Sequence, residues 1–450
     1  MSFETEASKF NDPEKMANAY LEKYYGKRKI EYPINPFQML VDEGILFSLR
    51  NFNNLEGVYI PASGSDDIPV VGININRPIT RQRFTAAHEL CHHFRDAGKQ
   101  ISCPIGGRNA IEKFAECFAA ALLMPKKELT KQVNKRRTDF GFISLDDVLD
   151  ISVYFGVSFQ ACFYRIYYNI DSALDIKDTD EPKKIIKQYQ PEKKRKCQHL
   201  TYVKLYEGLI DCCQDLMSFV PSDHARYVFQ NEYIYNDSRM EGIDITLEEA
   251  SEIVTDLRLK TQNSNYCNQD NEAFLSIAGH YDMYQHIFTD PHDKPIDIYD
   301  LLKLNKLLFS HYPYPEFGGK IKQSNSLVMG SKFEAVDYHE IYDELGKLYN
   351  QVKDFFLRRK NISISEYVKH VARIHYQITV IHPFTDGNGR TSRAFMNEQL
   401  LSAGIVPIYV KAKDKKEYIS ALSRADQFND FNELYEVLFK LIIRSYGDLC

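Results

Sequence analysis

The chain has 450 residues, with 56 Lys and Arg against 62 Asp and Glu, a formal net charge of −6. That length exceeds one ordinary hydrophobic core, so two or more domains are expected, and the acidic balance argues against a general nucleic-acid binder, whose footprint is basic. No apolar run approaches the ~20 residues of a membrane span, the N-terminus lacks the basic start and apolar middle of a signal peptide, and nine scattered cysteines without CxxC spacing read as reduced thiols of a cytoplasmic protein.

Residues 13–168 read as mixed α and β. The stretch PVVGININ, Pro69 to Asn76, is a short strand of β-branched residues. Next comes FTAAHELCHHF, which contains the HExxH pattern at His88 to His92. On a helix, positions i and i+4 share a face, so His88 and His92 can point at one Zn²⁺. Glu89 stands about 100° around, where it can take a proton from metal-bound water; His93 points off the ligand face, and Gly98 offers a stop for the helix. In AIEKFAECFAAALLMP, Glu112 and Glu116 fall on one face with Ala115, Ala119 and Leu123. A carboxylate on so apolar a helix is costly unless it is paired or holds metal. Glu112 is therefore the candidate third ligand, and Glu116 the candidate acid holding a liganding histidine through its ring N–H. Two helices follow around FGVS, between Ile143 and Ile166. They read as packing helices rather than a DNA-reading pair, because no basic residue lines the second before Arg165.

RFTAAHELCHHF followed by EKFAECFAAALLMP resembles the ImmA/IrrE family of zinc metallopeptidase domains, over residues 13 to 167. The resemblance implies a zincin-like fold, zinc, and cleavage of a regulatory protein, often a repressor. It carries His88, His92 and Glu112 over as ligands and Glu89 as base. Cys91 stands where the family usually has glycine, and Glu116 where it usually has Asn or Asp. The alternative is a non-catalytic zinc-containing sensor or targeting module.

From Asp175 to Gln198 the chain is charged, carries two prolines and shows little apolar periodicity, which predicts a linker over 171–200 between domains at 1–170 and 201–450. Its basic run Lys193 to Lys196 reads as solvated. The rest is mostly helical, except Glu316 to Val336, whose paired glycines and short apolar pieces predict a small hairpin.

A helix with Val368, Val371, Ile374, His375, Ile378 and Ile381 at helical spacing leads into HPFTDGNGRTSR, His382 to Arg393. Pro383 marks the helix end, and a second helix is expected from about Arg390 with Phe395, Met396 and Leu400 buried. A glycine-bounded loop opening onto a helix N-terminus suits an anion. Gly387 and Gly389 let the chain come close, and Arg390 and Arg393 add fork-shaped donors. Asp386 would repel phosphates unless a cation bridges them, which implies Mg²⁺. His382, neutral near pH 7, can take a proton from a hydroxyl. These residue types propose transfer of a nucleotide or phosphoryl group to an alcohol.

The same stretch matches the Fic motif HPFx(D/E)GNGRxxR without departure, and the resemblance extends over about residues 205 to 445. It implies a mostly α-helical fold and transfer of AMP from ATP to a protein hydroxyl. His382 is then the base, Asp386 the Mg²⁺ ligand and Phe384 a core residue. Gly387, Asn388, Gly389 and Arg390 hold the phosphates, and Arg393 meets the γ-phosphate. The intact Gly389 favours AMP transfer; the alternatives are another transferred moiety, or AMP removal. The hairpin stands where the family keeps a target-binding flap, with Gly319, Lys322 and Val328 in it, and Lys322 where arginine is common. Upstream, YNDSRMEGIDIT resembles the family's inhibitory motif (S/T)xxxE(G/N) through Glu241 and Gly242, with Asp237 in the Ser/Thr position; otherwise Glu241 is an ordinary acid at a helix start. Together these predict an α+β zincin-like domain followed by a mostly helical, self-inhibited Fic domain. The expected partners are a protein substrate, the chain itself through self-modification, and a repressor-like protein to cut; neither membrane nor nucleic acid is expected.

Overall fold

The computed structural model describes residues 3–64, 66–96, 101–104, 109–176, 181–261, 271–289, 294–325 and 335–449. The chain divides into two compact units, Met1–Cys213 and Gln214–Cys450. Among the described residues no helix is long and apolar enough to cross a membrane.

The first unit is built on a four-stranded sheet of order β1-β3-β2-β4. Its strands are β1 (Leu46–Arg50), β2 (Leu55–Ile60), β3 (Val70–Asn74) and β4 (Ile101–Pro104). β1 and β3 are parallel; β2 is antiparallel to both β3 and β4. The apolar run Val71, Gly72, Ile73 is buried in the middle of the sheet, as expected of a strand covered on both faces. The helix Ile79–Arg95 packs on β2 and β3 and against the helix Ala110–Leu123. Every side chain from Thr85 to Phe94 is buried, so three histidines and a glutamate sit in a core where polar groups require partners.

The FGVS turn is a packing element. Ser144 and Asp147 form a capping box at the start of Leu145–Phe155, Gly156 closes that helix in the left-handed region at φ 65°, and Ser158 caps Phe159–Asn169. The turn is pinned from inside: fully buried Arg83 donates to the carbonyls of Phe155, Gly156 and Ile34. Burial pulls the Arg83 pKa down to about 9.

The expected linker is a correction. Residues Pro182–Tyr189 and Pro191–Cys197 are helices, and the first compact unit runs on to residue 213 rather than ending near 170. The charged surface hid the few side chains that anchor the segment. Tyr189 stacks on Phe159 with ring centroids 4.9 Å apart. Arg195 is buried, donates to Leu200 O at 2.6 Å and lies 4.3 Å over the Tyr202 ring. The helix Val203–Ile210 then packs on Pro36–Asp42 and on the His88 helix.

The second unit is helical. Its centre is the helix Asn388–Ser402, in which every residue but Gly389 is buried. Ile364–Ile381, Ile298–Leu308 and Glu272–Thr289 pack around it. Asn397, buried within it, is fully bonded: it donates to Tyr284 Oη and Ile408 O at 2.9 Å each and accepts from Ile408 N at 2.7 Å. The expected stripe from Val368 to Ile381 is buried. The second helix starts at Asn388 and not Arg390, because Gly387 at φ 77° ends the loop as its N-cap. Of the expected hairpin, Glu316 to Val336, residues 326–334 and Val328 with them lie outside the described residues, as does Gly98.

Candidate functional sites

In the first unit the helix brings His88 and His92 to one point, as i, i+4 spacing requires. Their Nε2 atoms are 3.0 Å apart. Glu112, on the neighbouring helix, comes within 3.1 Å of His88 Nε2 and 3.7 Å of His92 Nε2. Cys103 of β4, absent from the sequence-based ligand set, has its Sγ 3.9 Å from Glu112 Oε1. One ligand atom from each of these four buried residues lies within 4.8 Å of all the others. Burial would raise the Glu112 pKa, but the His88 bond and the two imidazoles hold it below its ordinary value.

Two facing imidazole nitrogens cannot satisfy one another as neutral acceptors; a shared cation satisfies both. The donor set of two imidazoles, a carboxylate and a thiol suits Zn²⁺. Glu89 is fully buried and neither of its oxygens has a hydrogen-bond partner of good geometry. Burial pushes its carboxyl up, against the opposing pull of the two histidines.

The bond expected from Glu116 is made by another residue. Glu116 is exposed, whereas Asp96 Oδ2 stands 3.0 Å from His92 Nδ1 and so fixes which ring nitrogen faces the cluster. Asp96 follows His92 by four residues, a spacing that was legible. Glu116 lines both a groove of about 420 Å³ with Arg81, Phe84, Met124 and Tyr164 and the small pocket beside His88 and Glu112. His93 is turned away, as expected, towards Tyr59 Oη at 3.1 Å and Glu4 at 3.0 Å.

In the second unit His382 ends the helix Ile364–Ile381 in the left-handed region at φ 50°, ψ 57°, a conformation a non-glycine residue adopts at a cost. Burial, then the charge of Lys322, lowers its pKa, with Asp386 pulling weakly the other way, so the imidazole is neutral near pH 7. The loop is clipped by Asn388, whose side chain accepts from Phe384 N at 2.9 Å and donates to Phe384 O at 2.8 Å. Phe384 is buried and bridges to Ile321, and Pro383 O accepts from Lys322 N at 2.9 Å. The described part of the expected flap therefore lies alongside the His382 loop. Asn305, not anticipated, ties three pieces together: it donates to Asp386 O and Thr391 Oγ1 and accepts from Gly319 N at 2.8 Å. A Cβ on Gly387 would come within 2.7 Å of Leu308 and 2.9 Å of Phe309, so this position needs glycine for room as well as for φ. Asp386 is 69% exposed, faces outward and stands 3.3 Å from Arg390.

Arg393 is 5% exposed and is held by two acids. Its Nη2 donates to Glu241 Oε1 at 2.6 Å and its Nε to Asp237 Oδ1. Asp237 also faces His280 Nε2 at 2.8 Å, and His280 Nδ1 lies 2.8 Å from Ser276 O. Burial alone would raise the Asp237 pKa; Arg393 and the His280 bond override it and hold it at about 2. Glu241 stands at the C-terminal end of the helix Asp223–Met240, followed by Gly242 at φ 88°. This corrects the plain alternative of a helix-start acid. A carboxylate at a helix C-terminus is disfavoured by the dipole, and here Arg393 offsets it.

Fold and sites define two different arrangements in one chain: a sheet-backed cluster of buried side chains that could hold a metal, and a helical domain with a glycine-rich loop opening onto a helix N-terminus. Residues 45–167 match the IrrE N-terminal-like domain and residues 295–400 the Fic/DOC family; the chain carries one domain of each kind. It is 27% identical over 195 residues to a protein adenylyltransferase Fic of Nematostella vectensis, covering 43% of each chain. It is likewise 27% identical over 201 residues to one of Drosophila erecta, covering 44% of this chain and 37% of the relative. The chain thus spans less than half the length of these curated relatives. Among solved structures, Fic-1 (residues 134–508) from C. elegans aligns with a TM-score of 0.46 at 16% identity, over 68% of this chain and 86% of that one.

Proposed function

We propose that the second unit transfers AMP from ATP to a hydroxyl of a protein and is held back by Glu241. The observation that carries this reading is a neutral, half-buried His382 beside a glycine loop and helix N-terminus with two inward arginines. His382 takes the proton of the attacking hydroxyl, whose oxygen bonds to the α-phosphorus as pyrophosphate leaves. Backbone N–H groups from Gly387 onward and Arg390 hold the phosphates. Asp386, exposed at the loop edge, fits a Mg²⁺ ligand; the ion would offset charge on the departing phosphates. Glu241 occupies the guanidinium edge that a γ-phosphate would use, so productive ATP binding must displace it. The names of the relatives support this activity, and the match to the full HPFx(D/E)GNGRxxR pattern supports the assignment of roles.

The first unit, in this reading, holds zinc through His88, His92 and Glu112, and the bound metal would polarise a water or a peptide carbonyl for hydrolysis. Glu89 is positioned as its proton acceptor and Asp96 orients His92. A repressor-like protein is the substrate class that the IrrE-like domain suggests.

The test is transfer of label from α-³²P-ATP to protein, the chain itself included. Glu241→Gly should label strongly. Adding His382→Ala on that background should lower the rate by ~10²–10⁴-fold, the usual cost of a lost general base, with ATP binding retained. Equal labelling by the two variants would overturn the role of His382.

A further inference from the structure

The metal cluster contains one donor more than a hydrolytic zinc site uses. Catalytic centres keep three protein ligands and an open fourth position, whereas closed centres fill all four. We propose that Cys103 is the fourth protein ligand, so that β4 closes the centre and the metal has no free position until that strand moves away. The proposal rests on the zinc reading above.

Three observations carry it. The first is distance. A tetrahedral zinc with nitrogen and oxygen at ~2.0–2.1 Å and sulfur at ~2.3 Å separates its ligands by about 3.3–3.6 Å. The observed separations among the two histidines and Glu112, 3.0, 3.1 and 3.7 Å, bracket that range, and Cys103 Sγ stands 3.9 Å from Glu112 Oε1 and within 4.8 Å of both histidines. The second is how β4 is laid down. Gly57 of β2 lies against the His88 helix, where a Cβ would stand 2.5 Å from Glu89 Oε1. Cys103 pairs with Gly57. Strand alternation then turns Cys103 inward, at 4% exposure, and leaves Ser102 and Pro104 exposed. The third is room. The cavity lined by His88, Glu89, Cys103 and Glu112 amounts to about 20 Å³. A single water needs on the order of 10–15 Å³, so the space beside the four donors takes about one small ligand as it stands. Charge agrees as well: a carboxylate and a thiolate neutralise a dication, which a buried site favours.

Cobalt in place of zinc in the reduced full-length chain gives the readout. Wild type should bind cobalt stoichiometrically with a thiolate-to-cobalt charge-transfer band in the near ultraviolet. Cys103→Ala and Cys103→Ser should keep the metal and lose the band, and Cys117→Ala, an exposed cysteine on the Glu112 helix, should keep both. Acetohydroxamate should alter the visible cobalt spectrum of Cys103→Ala and not that of wild type. Wild-type cobalt without the band, a band that survives Cys103→Ala, or a wild-type spectrum that responds to hydroxamate would each overturn the closed centre while leaving the zinc reading standing. Failure of wild type to bind either metal would remove both.

Discussion

In the first unit four buried donor groups, His88, His92, Cys103 and Glu112, converge; in the second, Arg390 and Arg393 already have acids of the chain beside them, Asp386 for the one and Asp237 and Glu241 for the other. Burial makes both arrangements expensive in the absence of a partner. On the proposed reading, the first takes that partner from outside, as a metal ion. The second supplies it internally, through Asp237 and Glu241 on Arg393; on the proposed reading an incoming phosphate must compete with Glu241. On that reading one protein puts buried charge to two uses: a site that recruits its ligand and a site that resists its ligand.

The internal pairing breaks hardest at Asp237. Replacing Asp237 with Ala strands part of the Arg393 charge and one side of His280, and should destabilise the second unit by ~3 kcal/mol, the low end for a broken buried pair because Glu241 remains. Urea unfolding of the full chain measures it. The Asp237 pKa is held down to about 2 in the fold against about 3.9 when unfolded. Its contribution is therefore complete above pH ~4 and fades as pH falls towards 2, so wild type and variant should converge in acid. A gap that persists at pH 2 would mean that packing, not charge, is lost.

In the first unit the corresponding cut is Asp96→Ala. If His92 depends on Asp96 for its orientation, zinc affinity should fall by about 10–100-fold, as read by competition with a chromophoric chelator, whereas Glu116→Ala should change it little. The reverse order would return the supporting role to Glu116.

Removing Glu241 sharpens the comparison. Its side chain is 33% exposed and Arg393 keeps Asp237 after it has gone, so the contact opposes ATP by only ~1–2 kcal/mol. Glu241→Gly should then raise initial rates of AMP transfer about 5- to 30-fold. A rate at or below wild type would show that the pairing is no brake.

The smallest effect concerns pH. Burial and Lys322 lower the His382 pKa, so the base stays active down to a pH below the ordinary histidine value of about 6.5 and is lost beneath that. Lys322→Met, on the Glu241→Gly background, should move the acid limb of kcat/KM towards higher pH by under one unit. An unmoved limb would place the cause in burial alone.

What the sequence determined by itself is the chemistry carried by contiguous residues. HExxH on a helix and HPFTDGNGR around a helix start have their geometry set by local backbone rules, so the shared face of His88 and His92 and the glycine loop after His382 were legible before any fold was known. The Val368 to Ile381 stripe was legible for the same reason. Tertiary structure alone decided the contacts between distant segments. Cys103 meets the His88 cluster only because β4 pairs with β2, and Asn305 joins loop, helix and flap across more than 80 residues of chain. His280 meets Asp237 through the packing of two helices, which turned an odd acid in a motif into half of a buried clamp on Arg393. The segment after Asp175 was misjudged because its anchoring rests on a few side chains: Tyr189, whose partners Phe159 and Asp146 lie elsewhere in the chain, and Arg195, which folds back on Leu200 and Tyr202 just beyond the segment. Local composition reports the exposed face of such a segment; only packing reports the face it buries.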